Sequence, residues 1–203
     1  MELNKTTYNY IAEDWLNDHR HDVWSVQSTE MFADFFRAGD SVLDVGCGPG
    51  IKVKVLFQRG LTVTGIDFSE SMIAIAKREV PQGEFQVMDI NDLSGLQREF
   101  DGIFAQAVLL HISRKDMLGV LQGLVKKLKP GGYFYCAVKE KRVGQPEEEI
   151  KWDNDCGYSY ERFFSYFTLD EMLAYMRELD LTVVWKEITP SGRTRWIQVI
   201  ARK

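Results

Sequence analysis

Cysteine is scarce in this sequence, and its spacing excludes the two kinds of structure that cysteine usually builds. The chain contains three cysteines, Cys47, Cys136 and Cys156, which lie far apart. They form neither a C-x-x-C pair nor the spacing of zinc ligands, and their odd number does not fit a disulfide framework. We therefore expect reduced thiols and no metal site.

The sequence also lacks long apolar runs and an excess of basic residues. It has no apolar run of about 18 residues and no charged-then-apolar leader, so we expect neither a membrane span nor a signal peptide. The net charge is -5, whereas sequence-independent binding of nucleic acid requires clustered lysine and arginine. These absences predict a cytoplasmic protein that uses neither nucleic acid nor a membrane as its main partner.

The stretch SVLDVGCGPG, Ser41–Gly50, is the most informative part of the sequence. Its β-branched run meets three glycines, Gly46, Gly48 and Gly50, and the amphipathic run IKVKVLFQRG follows. This order predicts a buried strand, a tight turn and a helix, in which glycine lets the backbone approach a ligand and the helix presents free N–H groups to it. A dinucleotide-binding turn would have its third glycine where this chain has Ile51. This difference argues against a turn that binds the pyrophosphate of a dinucleotide.

The stretch VLDVGCGPG resembles the first motif of the class I methyltransferases that use S-adenosylmethionine. The resemblance is close in the middle of the chain and looser at both ends. It implies an α/β fold: a Rossmann-like, seven-stranded, mostly parallel sheet with an antiparallel last strand and helices on both faces. The alternation of strand and helix patterns favours the same class, and 203 residues fit one domain, residues 1–203.

The resemblance implies that S-adenosylmethionine is the cofactor. Asp67 ends the second strand pattern, where a carboxylate can accept both ribose hydroxyls, although a solvated turn acid is the alternative. Asp89, with Asp92 as its rival, would take the adenine amino group, and the main-chain carbonyl of Gln106 would take the methionine ammonium. The predicted cofactor residues are Asp44, Gly46, Cys47, Gly48, Gly50, Asp67, Phe68, Met88, Asp89, Ile90, Gln106 and Ala107.

The patterning also predicts particular strand and helix boundaries. The third strand is expected over Glu84–Ile90 and the fourth over Phe100–Ile112, followed by a helix that Pro130 and Gly131 stop. Thr168 and Glu171 have the spacing of a capping box for a later helix. Two alternating runs at the end of the chain, joined by residues 190–192, predict an antiparallel hairpin.

Two segments outside these patterns are candidates for the acceptor side of the site. Residues 1–38 contain helical patterns over Leu3–Trp15 and Trp24–Phe36, with a polar loop at Asn17–Asp22 between them, and form either a lid or a simple cover. Residues 140–168 form an aromatic insertion, which either lines the substrate pocket or packs as a flap. The candidate substrate residues are Tyr8, Trp15, His19, Tyr160, Arg162 and Arg193.

His111 is the candidate catalytic residue, because an imidazole titrates near neutral pH and can take a proton from an oxygen or nitrogen nucleophile. The alternative is that His111 packs or caps the next helix. The resemblance implies an enzyme that transfers a methyl group to an oxygen or nitrogen of a small molecule. Two other functions stay open: transfer of a different group, such as aminopropyl, and a non-catalytic sensor or partner subunit that only binds the cofactor.

Overall fold

The computed structural model describes residues 2–21, 26–154 and 156–203. Its helices are α1 Glu2–His19, α2 Val26–Ala33, α3 Ile51–Gln58, α4 Glu70–Glu79, α5 Arg114–Lys126 and α6 Leu169–Glu178. Its strands are β1 Ser41–Val45, β2 Thr62–Asp67, β3 Glu84–Val87, β4 Phe100–Gln106, β5 Leu128–Lys139, β6 Glu148–Asp153, β7 Tyr160–Ser165, β8 Thr182–Ser191 and β9 Thr194–Arg202. In the part of the chain so described, no helix is long and apolar enough to cross a membrane.

The main sheet has seven strands in the order β3-β2-β1-β4-β5-β9-β8. The pairs from β3 to β5 are parallel, and β9 runs antiparallel to both of its neighbours. The predicted fold class, a mostly parallel sheet with an antiparallel last strand, is confirmed. Because β1 lies between β2 and β4, the strand order reverses there, and the carboxyl ends of these strands border a crevice.

Alternate residues of the central strands enter two separate apolar clusters. Leu43 and Ile103 pack in the cluster that contains residues of α5 and α6, whereas Val42 and Phe104 pack in the cluster that contains residues of α2, α3 and α4. Side chains alternate across a strand, so the clusters lie on opposite faces of the sheet. Burial on both faces explains why β1 and β4 are nearly continuous apolar runs.

Several predicted boundaries were wrong. The third strand ends at Val87, and the Asp89 carboxylate accepts hydrogen bonds from Asn91 in the turn that follows. The fourth strand ends at Gln106 because Ala107 has a φ of 55° and a 3-10 turn, Leu109–His111, begins soon after. Helix α5 ends at Lys126, and Pro130 lies inside β5 rather than stopping the helix.

The N-terminal helices also differ from the prediction. Helix α1 continues to His19, so residues 17–19 are helical rather than loop. The added turn is supported by His19, whose ring stacks on Trp15 at 4.0 Å and whose Nδ1–H donates to the Trp15 carbonyl. Helix α2 ends at Ala33, before Phe36. Trp24 and Asp22, which the predictions included, lie outside the described residues.

Residues 140–168, the predicted aromatic insertion, contain an antiparallel two-stranded sheet formed by β6 and β7. The predicted capping box of Thr168 and Glu171 is present at the start of α6. Phe167 N–H donates to the Lys139 carbonyl and the Phe167 carbonyl accepts from Lys141 N–H, which ties the end of this insertion to the end of β5. The insertion is therefore held beside the carboxyl edge of the main sheet.

Candidate functional site

A cavity of about 330 Å³ opens at the carboxyl ends of β1, β2 and β4, beneath α1 and beside β7. Residues of two different characters line it. We call one region the acidic cradle; it consists of Asp44, Gly46, Cys47, Gly48, Asp67, Phe68, Gln106 and Ala107. We call the other the cationic end; it consists of Tyr8, His111, Lys139, Arg162, Phe164 and Trp196.

The glycine turn forms the floor of the acidic cradle. Gly46, Gly48 and Gly50 have φ values of 68°, 51° and 83°, a region that favours glycine. A Cβ on Gly46 would lie 2.5 Å from Cγ2 of Val108, so steric crowding also requires glycine at this position. The backbone N–H groups of Gly46 and Cys47 donate to the Ile66 carbonyl, which fixes the turn to the end of β2.

Asp67 lies at the centre of the cradle and is bound by backbone N–H groups. One carboxylate oxygen accepts from Gly48 N at 3.0 Å and the other from Ser69 N at 2.9 Å. Burial raises the pKa of Asp67 to about 6, and these N–H groups oppose that rise. The side chain therefore holds the glycine turn and the start of α4 together while remaining on the cavity wall.

Two buried oxygens of the cradle lack partners. Within residues 2–21, 26–154 and 156–203, Asp44 Oδ2 and Gln106 Oε1 are buried and accept no hydrogen bond. Burial, with Asp67 nearby, raises the pKa of Asp44 to about 8. A buried acceptor without a donor destabilises the folded state, and both residues line the cavity. The cradle is thus suited to a ligand that brings hydrogen-bond donors or positive charge.

A smaller recess lies next to Asp67 and Phe68 and is lined by Met88, Ile90 and Val108. Its apolar walls suit one face or edge of a flat ring. Asp89 does not line the cavity or the recess; it is exposed and pairs with Asn91. The predicted position of Asp89 at the end of the third strand was wrong because the strand stops two residues earlier.

At the cationic end, Arg162 is paired and Lys139 is not paired with a carboxylate. Arg162 donates to Asp153 Oδ2 from Nη2 at 2.7 Å and from Nε at 3.1 Å, with both side chains 14% exposed. In the described part of the chain, no carboxylate oxygen lies within 4.0 Å of Lys139 Nζ. Its neighbours are aromatic: Nζ lies 3.9 Å from the Phe164 ring centroid and 6.0 Å from that of Trp196.

His111, in the cationic end, is held from both sides. Its Nδ1–H donates to the Phe163 carbonyl at 2.8 Å, since a carbonyl can only accept. Nε2 is then the acceptor in the neutral ring, and the Tyr8 hydroxyl donates to it at 2.8 Å. Burial, together with the positive charges of Arg162 and Lys139, lowers the pKa of His111 to about 3. The imidazole is therefore neutral at physiological pH.

Helix α1 covers the cavity and is fixed along both of its sides. Asn4 exchanges two hydrogen bonds with the backbone of Phe163, and Thr7 donates to the Glu161 carbonyl. On the opposite side, Asn9 accepts from the Ser69 hydroxyl at 2.6 Å. These contacts place Tyr8, Trp15 and His19 on the cavity wall, as the sequence predicted for the acceptor side.

Three other predicted residues do not reach the cavity wall. Gly50 caps the start of α3, where an added Cβ would lie 3.3 Å from Val80. Tyr160 is buried behind the wall, with its ring 5.3 Å from the Arg162 guanidinium carbon. Arg193 is exposed in the turn between β8 and β9 and does not line the cavity, so its place in the substrate site stays a prediction.

The prediction missed Lys139 and Trp196 as lining residues, whereas Phe164 belongs to the aromatic insertion that it placed beside the substrate pocket. Lys139 could have been found, because it ends a buried strand as Asp67 does, and ligands bind outside such strand ends. Trp196 faces the site because it pairs with Lys139 across β5 and β9. That pairing joins residues from two distant parts of the sequence, which no local pattern indicates.

Comparison with known proteins gives both sequence relatives and structural neighbours. Residues 42–132 match the model of the methyltransferase domain family. The chain is 31% identical over 137 residues to the ubiquinone biosynthesis O-methyltransferase of Coxiella burnetii, an alignment that covers 63% of this chain and 58% of that protein. It is 35% identical over 105 residues to the trans-aconitate 2-methyltransferase of Delftia acidovorans, covering 50% of this chain and 38% of that one.

The chain spans about half the length of these two relatives. Among solved structures, the 1,6-didemethyltoxoflavin-N1-methyltransferase of Burkholderia thailandensis, with bound 1,6-didemethyltoxoflavin and S-adenosylhomocysteine, superposes with a TM-score of 0.78. That likeness covers 100% of this chain and 88% of the other at 20% identity. It shows that the two proteins share a fold.

Proposed function

We propose that the chain is a class I S-adenosylmethionine-dependent methyltransferase, and that it transfers a methyl group from that cofactor to an oxygen or nitrogen of a small molecule. The observation that carries this proposal is the pair of buried, unpartnered oxygens on Asp44 and Gln106 beside the glycine turn. S-adenosylmethionine has a positively charged sulfonium and an ammonium group. A cation of this kind would supply what these oxygens lack.

The residues of the cradle fit the remaining parts of the cofactor. Asp67 would accept the ribose hydroxyls, while the recess of Phe68, Met88 and Ile90 would take the adenine ring. Asp44 and Gln106 would face the methionine ammonium. The glycine turn, with Cys47 and Ala107, would let the backbone approach the ligand closely.

When bound, the cofactor supplies an electrophilic methyl group on a positively charged sulfur. The chain has to position the acceptor in line with that group and exclude water. Helix α1 closes one side of the cavity through Tyr8 and Trp15, and we propose that it is a lid. The acceptor would lie against Tyr8, His19 and Arg162 on the cavity wall.

We propose His111 as the general base of the reaction. Its Nε2 carries no proton in the neutral tautomer that Phe163 fixes, which is the state that a base requires. Burial makes the imidazole a weak base while Tyr8 covers it. An acceptor hydroxyl or amine that replaced the Tyr8 hydroxyl at Nε2 would occupy the position from which the proton can be taken.

The remaining features of the proposal concern location and partners. We propose a cytoplasmic enzyme, supported by the buried free thiols of Cys47 and Cys136. The net charge of -5 gives no support for nucleic acid as a partner.

Calorimetric titration with S-adenosylmethionine and S-adenosylhomocysteine tests the proposal. We expect both to bind, and Asp67→Ala to weaken binding by about a hundredfold, because it removes a buried acceptor of two hydroxyls. Glu99→Ala, at an exposed acid directly before β4, is the control and should bind as the wild type does. Unchanged affinity in Asp67→Ala would overturn the cofactor assignment.

A second measurement separates an enzyme from a binding subunit. Methyl transfer should be followed as release of S-adenosylhomocysteine across a panel of small-molecule hydroxyl and amine acceptors. Turnover that is lost in Asp67→Ala supports the enzyme. Cofactor binding without transfer to any member of the panel would instead favour the non-catalytic function.

A further inference from the structure

We propose that the acceptor carries a carboxylate, and that Lys139 Nζ, next to Arg162, binds this group at the end of the cavity opposite the acidic cradle. This inference rests on the proposed function and specifies its substrate class: a small carboxylic acid with an apolar body. It derives from the position, the partners and the surroundings of Lys139.

The first argument is the position of Lys139. It is the last residue of β5, next to the strand whose end carries Gln106, and it lines the same cavity as Gln106. The backbone of Phe167 donates to the Lys139 carbonyl at 3.2 Å, which brings the insertion over this strand end. The fold therefore brings the Lys139 amine to the cavity, as it brings the Asp67 carboxylate to the same cavity from the other side of β1.

The second argument is the shortage of negative charge around this amine. Asp153, an acid on the insertion, is bound by Arg162 through two hydrogen bonds and also pairs with Lys151. Lys139 and Arg162 both lie over the Phe164 ring, at 3.9 Å and 5.2 Å from its centroid, but within the described ranges only Arg162 has a carboxylate partner. A ligand carboxylate would give Lys139 its own partner.

The charged groups around Lys139 support the same interpretation. Burial, then Arg162 and Lys151, lower the pKa of Lys139 to about 8, while Asp153 and Glu149 act in the opposite direction. His111 on the neighbouring turn is neutral and contributes no negative charge. Together these groups disfavour the ammonium form of Lys139. A bound carboxylate would favour that form and raise the pKa again.

The rest of the wall describes the body of the acceptor. Phe164, Trp196 and Tyr8 present aromatic surfaces next to the amine. These surfaces bury apolar atoms and leave the amine and guanidinium as the charged groups that orient the ligand. A small aromatic acid satisfies both parts of this wall.

Binding of matched acids and amides tests the proposal. Hydroxybenzoates and aminobenzoates, each with its primary amide, would be titrated calorimetrically into protein saturated with S-adenosylhomocysteine. We expect at least one acid to bind about tenfold more tightly than its amide, the effect of one charge-assisted hydrogen bond. Lys139→Met should remove this preference, and Lys139→Arg should keep part of it.

The control is Lys54→Met, which makes the same substitution at an exposed lysine of α3. It should retain the acid preference of the wild type. Affinity for S-adenosylhomocysteine should be the same in all variants, which shows that each is folded and that the cradle is intact. Failure to bind S-adenosylhomocysteine would overturn the proposed function, whereas normal cofactor binding with acids no tighter than amides would overturn only this inference.

A spectroscopic titration gives a readout that does not depend on turnover. In protein labelled with ¹³C at lysine Cε, the resonance missing from Lys139→Arg identifies Lys139. Its pKa should rise when the preferred acid is added, because the carboxylate favours the ammonium form against Arg162 and Lys151. A pKa that no acid changes would contradict contact between the carboxylate and Nζ.

Discussion

The acidic cradle and the cationic end perturb their ionisable groups in opposite directions for the same physical reason. Burial raises the pKa of Asp44 to about 8 and lowers the pKa of Lys139 to about 8. In each case the charged form loses solvation that nearby residues do not replace. In each half of the cavity, a buried ionisable group of the free protein lacks a partner among the described residues that would stabilise its charged form. Each half therefore fits a ligand of opposite charge.

The two regions differ in how the chain constructs them. Half of the cradle comes from the end of β1 and the glycine turn, and the rest comes from the ends of the two neighbouring strands, β2 and β4. The cationic end joins α1, β5, β7 and β9, which lie far apart in sequence. Substitutions in the cradle should therefore create steric clashes and destabilise the fold. Substitutions in the cationic end should leave the fold intact and weaken only ligand binding.

The largest expected effect is that of Gly46→Ala, which tests the steric character of the cradle. The added Cβ would lie 2.5 Å from Val108, in addition to the cost of a φ of 68°. We expect a loss of about 3 kcal/mol in the free energy of unfolding, measured by urea denaturation. Gly144→Ala, at a φ of 78° with nothing within 4 Å, is the control and should lose about 1 kcal/mol.

If the two alanine variants were equally stable, crowding at Val108 would not constrain the turn. The difference between them isolates crowding because both glycines have the same kind of backbone conformation. Binding of S-adenosylhomocysteine should weaken in Gly46→Ala and not in Gly144→Ala, since only the first residue lines the cavity.

A smaller effect, with a definite dependence on pH, is expected for Asp44→Asn. Between pH 3.8 and about 8 the unfolded carboxyl has lost its proton while the folded one keeps it, so the wild type loses stability as the pH rises through this window. Asparagine does not titrate. The variant should therefore become more stable than the wild type by about 2 kcal/mol near pH 8, and the difference should disappear near pH 4.

Asp101→Asn is the control of opposite sign. Lys129 and Ser41 hold the Asp101 carboxylate and its pKa lies at about 2 although burial acts against this, so its ionised form stabilises the fold above pH 3.8. That variant should lose stability at neutral pH. A gain in Asp101→Asn, or no gain in Asp44→Asn, would contradict the assignment of unpaired burial to Asp44. Asp44→Asn should also bind S-adenosylmethionine more weakly than the wild type.

The sequence predicted the cradle well because its signals are local. Alternate glycines require positive φ values, and a carboxylate at the end of the next parallel strand must lie beside them. The predicted fold class followed from the same strand and helix alternation. Asp89 was placed in the third strand because the sequence does not show where a short edge strand stops pairing with its neighbour. The pairing of β3 with β2 ends at Val87.

The cationic end was predicted only in part, through Tyr8, His111 and Arg162. Its geometry depends on the register of β5 with β9, which places Trp196 opposite Lys139, and on the contact of β7 with α1 through Asn4. Arg193 looks the same as Arg162 in sequence, although one lies in a turn and the other in a strand. Pairings between distant segments have no signal in a single sequence.

The smallest effect is expected for Lys139→Met, and it should mirror that of Asp44→Asn. Below about pH 8 the folded protein carries a poorly solvated ammonium at Lys139, and its stability rises with pH between about 8 and 10.5, where only the unfolded lysine stays protonated. Methionine has no charge to bury. The variant should gain about 1 kcal/mol in the free energy of unfolding at pH 7, and this gain should vanish by pH 10.5.

Denaturation at pH 7, 9 and 10.5, with Lys54→Met as control, measures this difference between the two halves of the cavity. Lys54 is exposed, so its substitution should give no gain that depends on pH. A carboxylic acid that binds together with S-adenosylhomocysteine should stabilise the wild type and not Lys139→Met, which would remove the advantage of the variant. A variant less stable than the wild type at pH 7 would show that the folded protein already pairs the ammonium, and the contrast with Asp44 would fail.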